Sequence, residues 1–152
     1  MKKYRYFLMA TAIVTFLLVV MGNVVRVSDA AQACPDWPTC FGQLSFPESV
    51  EARIQMVHRG LAALSTLSII LAAVWGHRLG ARRVITLPLA AAAILMAVQV
   101  FLGGGLVLNG APALLIALHF GLAQAVLGLV DRTESGRSRS IGSDSSRSSV
   151  GS

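Results

Sequence analysis

Charge is the scarcest component of this sequence. Only 13% of its 152 residues are charged, about half the share of an ordinary soluble domain. No Asp, Glu, Lys or Arg occurs at positions 7–25, 60–76 or 84–130. Such runs exclude a water-soluble globule, because a soluble fold needs polar side chains on every outward helix face. The apolar runs are also continuous rather than alternating, which excludes a closed transmembrane barrel. Cysteine is limited to Cys34 and Cys40, with no histidine near them in sequence, so a zinc site there lacks ligands. What remains is 55% hydrophobic, with a mean hydropathy of +0.68. The net charge of +6 does not indicate nucleic-acid binding, since the basic residues cluster at the ends of the apolar runs instead of along a binding stripe.

A bilayer core needs roughly 20 helical residues to cross, and four segments meet that length, at 6–25, 54–75, 84–107 and 112–130. The connections at 76–83 and 108–111 are too short for anything but antiparallel neighbours. The expected fold is therefore all-α: an antiparallel four-helix transmembrane bundle over residues 1–130. Its sidedness follows from the basic residues. Lys2, Lys3, Arg5, Arg78, Arg82, Arg83, Arg132, Arg137, Arg139 and Arg147 all fall on one side, which the positive-inside rule makes cytoplasmic, with both termini. The loop at 26–53 carries Arg26 and Arg53 against Asp29, Asp36, Glu48 and Glu51 and is expected outside the plasma (inner) membrane. The first span is longer than the apolar region of a signal peptide, and Arg26 and Asp29 separate it from Ala31-Gln32-Ala33, so it is expected to be retained. Residues 131–152, with nine serines and four arginines, are expected to form a disordered cytoplasmic tail.

An oxidising compartment permits a disulfide between Cys34 and Cys40, serving either as a structural staple or as a redox pair. Trp37, Phe41 and Phe46, in or near the same loop, are suited to the membrane interface.

The most informative residues are His58 and His119, because ionisable side chains inside spans are costly and are held for function. His58 lies seven positions after Glu51, and His119 seven after Pro112, which sets both about 10 Å below the outer surface. The second and fourth helices face one another across an up-and-down bundle. A flat metal macrocycle with an axial histidine from each side fits that spacing better than two unrelated core histidines. His77, among Gly76, Arg78, Arg82 and Arg83, reads as a solvated interface residue without a ligand role. Gly103, Gly104 and Gly105 suit either the close approach of a flat ring or plain helix packing. Arg26 and Arg59 lie near the outer boundary, where a guanidinium can pair with a cofactor carboxylate or snorkel to the surface.

These residues resemble a known family. Gly22-Asn23-Val24-Val25-Arg26-Val27 with the Cys34-Pro35-Asp36-Trp37-Pro38-Thr39-Cys40 loop, Met56-Val57-His58-Arg59-Gly60, Gln99-Val100-Phe101-Leu102-Gly103-Gly104 and Leu118-His119-Phe120-Gly121 are similar, in order over about residues 6–130, to haem A synthases. The resemblance implies a membrane oxidoreductase that converts haem O to haem A, oxidising the C8 methyl to a formyl group for terminal oxidase assembly. A membrane b-type haem protein, acting as an electron carrier or haem-handling partner, is the alternative. The resemblance also implies haem b as cofactor, haem O and haem A as substrate and product, His58 and His119 as iron ligands, and a Cys34–Cys40 disulfide. The usual member of the family has eight spans in two related halves. A single half is expected to work as a homo-oligomer or with a second four-span half, near a haem O synthase or oxidase assembly partner. The family commonly carries Glu three residues before the first histidine; this chain has Gln55, which hydrogen-bonds but takes no proton. Glu51 is the carboxylate on the same helical face that is expected to substitute.

Overall fold

The computed structural model describes residues 2–45 and 47–148, with side chains described to residue 133. Four helices follow one another: α1 at Lys2–Val27, α2 at Val50–Arg78, α3 at Arg83–Leu108 and α4 at Ala113–Ser148. A single 3₁₀ turn at Ala30–Gln32 lies between α1 and α2. Each helix contains a stretch long and apolar enough to cross a membrane, which for α4 is Ala113–Thr133.

Local chemistry sets the helix ends. The Ser49 hydroxyl accepts a hydrogen bond from the Ala52 amide at 3.3 Å, capping α2, and Glu51 adds a negative charge in the first turn. Between α2 and α3, Gly80 takes a φ of 63°, and between α3 and α4, Gly110 takes a φ of 71°. Only glycine enters that left-handed region without cost, so each connection reverses within a few residues.

Beyond its apolar stretch, which ends at Thr133, α4 continues to Ser148. A helix nucleated by the apolar span adds further turns at little cost, because nucleation is the expensive step. Residues 149–152 lie outside the described residues.

Neighbouring helices pack in a ring, α1 on α2, α2 on α3, α3 on α4 and α4 on α1. That order leaves α2 and α4 across from one another. Residue numbers rise along α1 as they fall along α2. Tyr4 donates its hydroxyl to the Ala72 carbonyl at 3.0 Å, Thr15 meets Ser65 at 3.0 Å, and Gly22 lies beside His58. One apolar cluster joins Tyr4, Leu8, Ala72, Ile85 and Leu89, and a second joins Leu18, Ile69, Ala92, Met96, Val126 and Val130. Outward side chains remain apolar; Phe101 is 72% and Ile94 67% exposed. In water that surface would drive aggregation, whereas in lipid it costs nothing, and the packing inside comes from small residues and interhelical hydrogen bonds.

The loop after α1 folds back over the end of the bundle. Cys34 and Cys40 form a disulfide and are buried with Ala52 of α2, and Gln32 donates to the Leu106 carbonyl at 3.0 Å. Phe41 is exposed, as an interfacial residue would be. Trp37 is not: it turns inward and lies on Gly104 of α3, because a residue without a side chain leaves a shelf for the indole. Phe46 lies outside the described residues.

Candidate functional site

Beneath that loop the four helices enclose a cavity of about 580 Å³, within the range of small-molecule and cofactor sites. Its walls are mainly aliphatic. The polar exceptions include Gln55, His58 and Arg59 from α2, Gln99 from α3, His119 from α4 and Arg26 from α1, with Trp37 of the loop at one edge. The two histidines singled out by spacing are therefore brought to one cavity from opposite helices. His77 is exposed at the far end of α2 and takes no part. Glu51 is exposed in the first turn of α2 and is not brought to the cavity.

Each imidazole lies against a glycine of a neighbouring helix. A Cβ on Gly22 would touch Cε1 of His58 at 3.5 Å, and one on Gly103 would touch Cε1 of His119 at 3.4 Å. The glycine run of α3 thus serves side chains: Gly103 seats His119 and Gly104 seats Trp37, while Gly105 has only Asn109 nearby. The Nδ1 atoms of both histidines are buried without a hydrogen-bond partner, so neither ring is held in place by a polar contact that would explain it as structural.

Two amides share this condition. Gln99 donates through Nε2 to the backbone carbonyl of His119 at 2.7 Å, and Gln55 donates to the Ala31 carbonyl at 3.4 Å. Their Oε1 atoms are buried and unpartnered. The chain carries the signal for Gln99 in plain view, as a lone amide in a span without charge, but histidine spacing does not reach it. Trp37 likewise carries a signal only for the interface.

At the end covered by the loop, Arg59 donates from Nη1 to the carbonyls of Pro38, at 3.2 Å, and Thr39. Its Nε and Nη2 are buried without partners. The loop that Arg59 grips is organised by Asp36, whose carboxylate accepts from the Thr39 hydroxyl and from the amides of Phe41 at 2.6 Å and Gly42 at 2.9 Å. Those contacts, the Thr39 hydroxyl first, hold the Asp36 pKa below its ordinary 3.8. A depressed carboxylate pKa stabilises the folded loop above the unfolded value of about 3.9, and that contribution is lost as the pH falls through the lower folded value. In a Trp75→Phe background, Trp37 emission is expected to hold steady from neutral pH to about 4 and shift to the red below it. Asp36→Asn is expected to be red-shifted already and to lack the acid step; an unchanged acid step would show that another group controls the loop.

The donor set fits a flat metal macrocycle. Among the described residues no cluster of three or more His, Cys, Asp or Glu could hold a bare ion. Two imidazoles on opposing helices instead suit a metal that brings its own equatorial ligands, and Arg26 and Arg59 suit carboxylates at its edge.

Fold and cavity together define a multi-pass helical membrane protein with paired histidines and arginines around an apolar chamber. Residues 5–53 match the family model described as cytochrome oxidase assembly protein. A haem A synthase of Exiguobacterium sp. is 32% identical over 125 residues, covering 80% of this chain and 42% of the relative. One from Alkalihalophilus pseudofirmus is 30% identical over 132 residues, 85% of this chain and 44% of the relative. A protoheme IX farnesyltransferase 1 of Natronomonas pharaonis is 39% identical over 123 residues, 81% of this chain but 26% of that protein. The chain belongs to the haem A synthase family. It spans between a quarter and a half of the length of these relatives.

Proposed function

We propose that this chain binds haem O between His58 and His119 and takes part in its conversion to haem A, by oxidation of the C8 methyl to a formyl group. The observation that carries this reading is the pair of unpartnered imidazoles, delivered by α2 and α4 to one apolar cavity. His58 and His119 would hold the haem, whose iron would supply the redox chemistry. The chain's own residues do the rest. Gly22 and Gly103 leave room for the imidazoles, Arg26 and Arg59 receive the ring carboxylates, and the disulfide-closed loop with Trp37 keeps water from the outer end. The proposed setting is an antiparallel bundle in the plasma membrane, both termini cytoplasmic and the Cys34–Cys40 loop outside, with haem b as a further bound cofactor. A second four-span half or a second copy of this chain is the proposed partner. The match to a protoheme farnesyltransferase over a quarter of that enzyme supports operation beside the step that attaches the isoprenoid.

A second reading has one observation in its favour. Among the described residues no carboxylate lines the cavity, and Gln55 stands where the family resemblance implies Glu. An amide cannot act as proton acceptor, which favours a b-type haem protein that carries electrons or hands haem on. The two readings separate when the protein is purified from cells that make haem O but no haem A and its haems are extracted and weighed. Haem A or its hydroxylated precursor is the expected result. Haem b alone would establish the carrier, and the absence of any haem would overturn both.

A further inference from the structure

The orientation of the two buried amides in the cavity is settled by what they bond. A backbone carbonyl accepts only from an N–H, so Gln99 must turn Nε2 to His119 and Gln55 must turn Nε2 to Ala31. Each side chain is 6% exposed and belongs to the cavity lining, and the carbonyl oxygen of each is buried with nothing to accept from. An unpaired buried acceptor is costly, and in lipid no solvent relieves it. In the haem O reading the imidazoles would face the ring centre, and the arginines at the loop-covered end are donors that suit carboxylates. The ligand group still missing is a neutral donor at the ring edge.

We propose that Gln99, with Gln55 on the adjacent helix α2, forms an acceptor pair that selects a tetrapyrrole bearing an alcohol hydroxyl on its periphery. This rests on the haem O reading and adds its basis for discrimination. The hydroxyl has two sources, the isoprenoid side chain of haem O and the hydroxymethyl group formed when the ring methyl is first oxidised. Gln99 is a positioning residue as well, since the same amide holds the His119 carbonyl.

The test is equilibrium titration of the purified full chain, in lipid nanodiscs, with three probes: haem O, haem O dehydrated at its isoprenoid hydroxyl, and haem B carrying a hydroxymethyl group, against haem B itself. Wild type is expected to bind at least one hydroxylated probe about tenfold more tightly than its hydroxyl-free counterpart. The probe pair that shows the preference identifies the source. Gln99→Leu is expected to abolish the preference, Gln55→Leu to reduce it, and Gln99→Glu, which keeps an acceptor oxygen on a side chain of the same length, to restore it. A low-spin spectrum in each variant reports that both imidazoles still ligate. Equal binding of hydroxylated and hydroxyl-free probes by wild type overturns the acceptor pair while leaving haem binding intact. A preference that survives in the Gln55→Leu/Gln99→Leu double variant overturns it as well. Failure of wild type to bind any probe overturns the haem reading beneath it.

Discussion

Replacing either His58 or His119 by alanine is expected to abolish stable haem retention. Loss of a residue that merely orients a metal ligand costs roughly 10–100-fold in affinity, so loss of an axial ligand itself should exceed 100-fold. The fold should survive. Neither imidazole has a partner at Nδ1, each touches its neighbouring helix at a glycine, and α2 and α4 are held by other contacts: Thr15 to Ser65, Tyr4 to Ala72, and the cluster containing Ile69 and Val126. Circular dichroism in detergent should therefore match wild type, while the six-coordinate low-spin spectrum converts to a five-coordinate high-spin one or disappears. A low-spin spectrum retained by both variants would falsify the ligand assignment. Unfolding of both would show instead that the rings carry the packing.

How much of this arrangement is legible in the sequence depends on the range over which each signal acts. The four spans are written in uncharged runs that need no partner to be read, whereas the cap at Ser49 and the turns at Gly80 and Gly110 emerge only in the structure. The paired depth of His58 and His119 follows from counting turns. The details of the site do not. Trp37 belongs by composition to the membrane interface, yet it lies inside because Gly104 is on another helix. Gln99 becomes a site residue only when α3 and α4 meet and its amide reaches the His119 backbone. Glu51 shares a helical face with His58 in sequence terms, but about two turns toward the loop is enough to leave it exposed. The tail is a different case: its composition speaks against a packed core, which does not prevent a helix from continuing out of a span.

A cavity that holds haem as proposed must open for loading and close against water, and the loop after α1 brings Trp37 and Pro38 to its edge. Arg59 stands at that boundary, with Nη1 committed to the loop carbonyls of Pro38 and Thr39 while Nε and Nη2 have no partner. A ring carboxylate on the free side of the guanidinium would join loop and ligand through a single side chain, which is why the loop's seat on α3 matters as much as its disulfide.

That seat gives the second large effect. A Cβ at Gly104 would fall 2.9 Å from Cδ2 of Trp37, 3.1 Å from Cε2 and 3.3 Å from Cε3, an overlap with the face of a rigid ring rather than with the end of a flexible chain. Alanine otherwise favours a helix over glycine by about 1 kcal/mol, so α3 itself should not suffer. The loop must give way, lifting Trp37 from the cavity edge. Gly104→Ala is expected to speed haem release about tenfold, a cost near the low end of the 1–3 kcal/mol typical of overpacking, and to shift Trp37 emission to the red in the Trp75→Phe background. Gly105→Ala, one residue further along and with only Asn109 within 4.0 Å, is the control expected to release haem at the wild-type rate. Trp37→Ala should also speed release, and adding Gly104→Ala to it should do no further harm, because the second substitution then meets no ring. Additive effects of the two would place the closure elsewhere, and unchanged release in Gly104→Ala would mean that the indole does not guard the cavity.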